Sequence, residues 1–230
     1  MSKFVKMLKK KPMTLIVSLP ENSAALADAA ERGGADAIKV HMNVKHAASG
    51  TVFGPFEQEK IFIEQIMDKV SVPVGIVPGN EELPTEREMS ALKKMGIDFF
   101  DMFHENIPPW MFKLKGIGKI AAFGEDYSID RLMELRDMDV DAFEAAIVER
   151  SEYGKDMTVS DLQNYITIAV SSSIPVIVPT QKFIRISDVP LLWDAGVSAL
   201  MIGTIVTGDK PGSVYEATKN FRAEIDKLGK

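Results

Sequence analysis

Apolar positions along the chain fall into short β-branched or aromatic runs, separated by longer stretches with helical spacing. The clearest unit is Ile174 to Asp209, IPVIVPTQKFIRISDVPLLWDAGVSALMIGTIVTGD. Val176-Ile177-Val178, bounded by Pro175 and Pro179, reads as a short buried strand. A polar corner follows at Thr180, Gln181 and Lys182. Ser187 then suits a helix N-cap, and Gly196 suits a left-handed stop. A second apolar run, Ala199 to Ile202, ends at Gly203-Thr204. The unit is βαβ, with both strands buried on both faces.

The second half of that unit recurs. GGADAIKVH (from Gly33), MGIDFFDMF (from Met95), MDVDAFEAA (from Met138) and AGVSALMIG (from Ala195) align without gaps. The second position holds Gly34, Gly96 and Gly196, and the fourth holds Asp36, Asp98 and Asp141. Between these copies lie further strand-like runs: Thr14 to Leu19, Val72 to Val77, Lys119 to Phe123, and Val176 to Val178. This spacing predicts eight strands with a helix after each, the four copies being the even strands. It points to a single-domain (β/α)8 TIM barrel over residues 1–230, close to the ~250 residues typical of that fold. A doubly wound sheet would need a GxGxxG turn after its first strand, which is missing.

Other segments add detail. The basic start, MSKFVKMLKKKP, predicts a short helix closing the barrel bottom with Phe4, Val5 and Leu8. Asn22 or Ser23 suits a cap for the first helix after a strand. Thr85 and Glu88 form a capping-box pattern, and helices are expected over Glu57–Lys69 and Val214–Leu228. The segment from Met42 to Phe56 is long and rich in small residues, as binding loops are. After the fourth strand, Pro108-Pro109 forbids a simple helix, and Trp110 and Phe112 are placed to close over a ligand. Long loops follow strands, so the working face is the end where strands finish. The three aspartates sit near strand starts, at the opposite end, and are assigned to stability.

Position seven of the repeat holds Lys39, Asp101, Glu144 and Met201. Alternate strands of a barrel give four side chains to one interior layer. Pointing inward, three ionisable groups share that layer. Pointing outward, they would meet apolar helices without partners. Such a set can do proton-transfer chemistry, or it can be a charge-paired plug. His41, His46 and His104 all fall on the working face. His41 and His104 are candidate acid–base groups, and no metal site is expected.

Composition narrows the field. A net charge of −6 speaks against a nucleic-acid partner. The absence of cysteine removes thiolate chemistry and disulfides. There is no apolar run long enough for a membrane and no signal-peptide pattern, so a cytoplasmic location is expected. A homo-oligomer is left open, and no cofactor is implied.

GVSALMIGTIVTG resembles the eighth-strand phosphate site of ribulose-phosphate-binding TIM barrels. LIVSLP, AAERGGADAIK, VPVGIV and the Pro175–Thr207 stretch are similar in type to N-acylmannosamine-6-phosphate 2-epimerases. That resemblance implies a sugar phosphate held at strands seven and eight, with proton transfer beside a carbon acid. Lys39 matches the family's basic position on strand two, and Gly203 its phosphate-site glycine. The family's lysine after strand three falls at Pro78, and its acid after strand seven near Pro179, so both are missing. Its strand-four aspartate falls at Phe103, two residues past Asp101. The expected function is isomerase, epimerase or lyase chemistry on a small phosphorylated metabolite. Lys39, Asp101, Glu144, His41 and His104 would be catalytic. Thr180, Gln181, Lys182, Gly203 and Thr204 would bind the phosphate. The alternatives are a non-catalytic barrel binding a phosphorylated ligand, and a Schiff-base aldolase using Lys39.

Overall fold

The computed structural model describes residues 2–80 and 82–229. Its eight main strands are β1 (Thr14–Ser18), β2 (Ala37–His41), β3 (Val74–Val77), β4 (Phe99–Phe103), β5 (Gly118–Phe123), β6 (Ala142–Ala145), β7 (Val176–Pro179) and β8 (Ala199–Ile202). They run parallel, each bonded to its neighbours in chain order, and β8 returns to β1. This is a closed (β/α)8 barrel. Around it lie α1 (Lys3–Leu8), α2 (Ala24–Arg32), α3 (Phe56–Lys69), α4 (Glu86–Met95), α5 (Ile129–Arg136), α6 (Val159–Ser171), α7 (Val189–Asp194), α8 (Thr204–Thr207) and α9 (Pro211–Ile225). Among the described residues no helix is long and apolar enough to cross a membrane.

The expectation of a helix after every strand fails once. Between β4 and β5 the chain makes two 3-10 turns, His104–Asn106 and Pro109–Lys113. Proline before and within the second turn removes the N–H groups an α-helix needs. Met111 fills the space instead, wholly buried in the shell between strands and helices. Trp110 and Phe112 pack against the same shell, so they do not close over the barrel mouth. Smaller differences follow local chemistry. The last helix starts at Pro211, where a missing N–H costs nothing. Ser187 lies in a 3-10 turn, and α7 begins after it at Val189. The segment after β2 contains a small antiparallel pair, Val44–Lys45 with Val52–Phe53.

The repeat is visible in the backbone. Its second position is left-handed in all four copies, at Gly34, Gly96, Asp139 and Gly196, with φ of 98°, 106°, 62° and 87°. A helix must turn sharply into the next strand there, and aspartate is among the few other residues that tolerate this conformation. The Asp at position four ties the barrel bottom. Asp36 accepts from the Leu15 N–H at 2.9 Å and pairs with Arg222 at 3.0 Å. Asp98 accepts from the Ser2 hydroxyl at 2.6 Å and the Phe4 N–H at 2.7 Å, which docks α1. Asp141 accepts from the Lys119 N–H at 3.0 Å.

The lower interior is apolar and filled. Ala37, Phe99, Ala142 and Ala199 come from the even strands, and Ile16, Ile120 and Ile177 from the odd ones. The fourth odd strand contributes Gly75, because the Phe99 ring occupies its place: a Cβ at Gly75 would lie 2.1 Å from that ring. Phe4 of α1 stacks beneath Phe99 at 4.0 Å between ring centres. The Gly75→Ala variant should therefore lose about 1–3 kcal/mol of stability through overpacking. Adding Phe99→Leu should recover part of that loss. Urea unfolding of the two single variants and the double variant measures both effects.

Candidate active site

The strand alternation that points Ala37, Phe99, Ala142 and Ala199 inward also points Lys39, Asp101, Glu144 and Met201 inward. These four form the layer above the isoleucines, and all four line a cavity of about 170 Å³. Lys39 Nζ donates to Asp101 Oδ2 at 2.9 Å and to Glu144 Oε2 at 3.2 Å. The three side chains come from strands that are not neighbours, so closure of the barrel brings them together. Ser18, Val77, Ala122 and Pro179 form the wall above them, with Ala146 and Gly203 at the rim. These small residues leave the space open, which distinguishes the layer from a sealed plug.

Burial is nearly complete: Lys39, Asp101 and Glu144 are 5, 2 and 7 % exposed. One ammonium faces two carboxyl groups. Burial and the Asp101 charge push the Glu144 carboxyl well above its ordinary value, against the pull of Lys39. Burial lowers the Lys39 ammonium, yet the charges of Asp101 and Glu144 outweigh it and leave its pKa raised. Both shifts favour the protonated form, Lys39 as the ammonium and Glu144 toward the carboxylic acid. Asp101 Oδ1 has no hydrogen-bond partner among the described residues.

His41, at the end of β2, lines the cavity with its Nε2 3.4 Å from the Ser18 hydroxyl. Its Nδ1 has no partner among the described residues. Of the two residues expected at the first helix cap, Ser23 takes the N-cap position of α2, and Asn22 brackets the His41 backbone. It donates to the His41 carbonyl at 2.7 Å and accepts from the His41 N–H at 3.1 Å. Asn22 also donates to Glu59 at 2.8 Å, and Glu59 accepts from the Gly54 N–H at 2.8 Å. The end of β2 is thereby coupled to the long loop that follows it. In that loop, Phe53 stacks on His41 and His46 tilts against it, each at 4.7 Å between ring centres. Burial, then His46 and Lys39, lowers the His41 pKa well below its ordinary value. Burial and Lys39 push His46 down to about 4.

His104 does not join this group. It lies one residue past β4, stacks on Phe123 at 4.7 Å and has its Nδ1 2.9 Å from Glu105, away from the cavity. Among the described residues no three His, Asp or Glu side chains converge as a metal-holding group.

The expected phosphate donors divide. Thr180, Gln181 and Gly203 line the cavity; Lys182 and Thr204 do not. Lys182 is turned away, 3.0 Å from Glu152 and 3.5 Å from Asp161, and is 4 % exposed. Two carboxylates hold it, so it is not a free cation at the mouth. The Gly203 N–H donates to the Thr180 hydroxyl at 2.9 Å. Gln181 donates to the Ala146 carbonyl at 3.1 Å and the Tyr153 hydroxyl at 2.6 Å, and accepts from the Val148 N–H at 3.1 Å. It serves to hold the loop after β6. Residues the repeat does not single out complete the mouth: Lys45, Asn80, Arg150 and Tyr153.

No protein-family model matches this sequence, and no curated protein does. Solved structures with this fold are numerous. Thiamine phosphate pyrophosphorylase from Pyrococcus furiosus superposes with a TM-score of 0.66 at 16 % identity, covering 95 % of this chain and 98 % of that one. Phosphoribosyl anthranilate isomerase from Thermus thermophilus gives 0.68 at 16 % identity, covering 94 % and 100 %. Tryptophan synthase from Mycobacterium tuberculosis gives 0.72 at 13 % identity, covering 99 % of each chain. At these identities the likeness shows the fold.

The histidine environment has a measurable consequence. The unfolded chain takes up a proton at His46 near its ordinary value of 6.5, and the folded one only at about 4. The stability that this difference confers is fully present above about pH 6.5 and is lost as pH falls toward 4. Urea midpoints should fall over that window, and His46→Gln should flatten the fall. In NMR titration the His46 ring should stay neutral at pH 6.

Proposed function

We propose that this chain is an enzyme of the phosphate-binding (β/α)8 group, acting on a small phosphorylated metabolite by proton transfer beside a carbonyl. The observation that carries this reading is the opening of the Lys39–Asp101–Glu144 layer into a cavity at the strand ends. Two of the similar structures are, by name, enzymes of phosphorylated compounds. The sequence resemblance to ribulose-phosphate-binding barrels points the same way.

The roles follow from protonation state. Lys39 as ammonium is one donor, and the raised pKa of Glu144 favours the carboxylic acid, a second. They converge where a substrate carbonyl oxygen would gain negative charge, so they stabilise an enolate. His41, an imidazole lining the cavity and kept neutral by burial, accepts the proton from the neighbouring carbon and returns it to the adjacent carbon. Return to the adjacent carbon on the same face is isomerisation, with the neighbouring hydroxyl losing its proton as the carbonyl oxygen gains one through Glu144. Asp101 fixes Lys39.

The two alternatives are weaker. A Schiff-base lysine needs a lowered pKa to attack a carbonyl, and the carboxyl partners of Lys39 raise it instead. A silent binding barrel leaves unexplained why three costly ionisable groups line the cavity where apolar ones would stabilise the fold.

A thermal-shift screen against phosphorylated and unphosphorylated metabolites tests the proposal. A ligand at about 100 times its Kd adds roughly 2.7 kcal/mol, or roughly 5–10 °C for a chain of this size. With the hit as substrate, Lys39→Met should abolish turnover while the barrel stays folded, because Asp101 and Glu144 can then share a proton. A Lys39→Met protein that is more stable and equally active would show the layer to be a plug.

A further inference from the structure

We propose that Lys45 and Arg150 form an anion subsite at the rim of the cavity, suited to a phosphate dianion. This inference rests on the reading of the chain as an enzyme of phosphorylated metabolites. It moves the anion away from the β7–β8 donors, since Lys182 is held by two carboxylates and the Gly203 N–H by Thr180.

Strands β2 and β6 stand on opposite sides of the barrel. The loops after them nevertheless meet, so the loop after β2 crosses the mouth. Together with Ile205 they enclose a depression of about 330 Å³. Lys45, His46, Ala47, Ala48, Arg150 and Tyr153 line both this depression and the deeper cavity. The two spaces are therefore contiguous, and one molecule can span them with its reacting carbon at Lys39 and its far end at the rim.

The charges there are of one sign. Among the described residues no carboxylate lines the depression. Neither Lys45 nor Arg150 makes an ion pair or side-chain hydrogen bond among the described residues, although exposed cations elsewhere on the surface do. The acids nearest Arg150 in the chain are engaged elsewhere. Glu149 lies 3.4 Å from the Ser151 hydroxyl, and Glu152 binds Lys155 at 2.6 Å and Lys182 at 3.0 Å. Asp101 and Glu144 are held by Lys39 one layer below. His46, between the two spaces, is neutral above about pH 4. On a chain of net charge −6, two bare cations facing a concave space invert the local field and focus it on an incoming anion. The guanidinium fork fits two phosphate oxygens, and the ammonium neutralises the remaining charge.

Calorimetric titration of inorganic phosphate at low ionic strength tests the subsite, using the full chain. Lys45→Gln and Arg150→Gln should each weaken binding about tenfold, the loss expected for one charge-assisted contact. Lys94→Gln, an equal charge loss at the barrel bottom, should bind as the parent does. Both rim residues are exposed, so the variants should keep the parent's circular dichroism. If phosphate binds the parent and both rim variants equally, the subsite is overturned while the phosphorylated-substrate reading stands. If the parent binds no phosphate, both are overturned. Equally tight binding of acetate would overturn the assignment to a dianion.

Discussion

An ammonium between two carboxyl groups, taken out of water in the middle of a barrel, governs this structure. Desolvating such a set costs several kcal/mol for each ion, and the attraction within it repays that only with good geometry. The rest of the interior answers to this constraint. Below, isoleucines and the Phe99 ring exclude water and strengthen the interaction. Above, Ser18 and Ala122 are small, so the charges face a cavity and are not sealed in. Burial and the Asp101 charge push the Glu144 carboxyl toward its protonated form, which eases the surplus of acid around one ammonium.

Much of this was legible in the sequence, for a geometric reason. Side chains alternate along a strand, so a gapless repeat tells which residues share a layer even when the strands are distant in the chain. Lys39, Asp101 and Glu144 could be brought together on that basis, and so could the aspartates at the opposite end. The left-handed second position was legible through three glycines, with Asp139 as the exception that the backbone reveals.

What the sequence did not show lies beyond the strand ends, where alternation stops. Lys182 follows β7 by three residues, and its direction is set by Glu152 and Asp161 from another loop and helix. His104 is one residue past β4, and a neighbouring strand's Phe123 draws it off. Pro108-Pro109 announces the missing helix, but the packing of Trp110 and Phe112 against the shell around Met111 depends on neighbouring elements. Asn22 looks like a cap because cap residues and backbone-bracketing residues share the same chemistry. Lys45 and Arg150 look like ordinary solvated charges. Their position over one mouth depends on a loop crossing the barrel, which is a property of the assembled fold.

The Phe99 ring, wedged against Gly75 and backed by Phe4, makes the barrel a blind shaft. Among the described residues, a molecule that reaches Lys39 comes from the strand-end side, past the loop carrying His46. A molecule longer than the cavity enters end first and leaves its other end at the rim. A bulky group at the leading end is refused by the width of the shaft, whatever the trailing end carries.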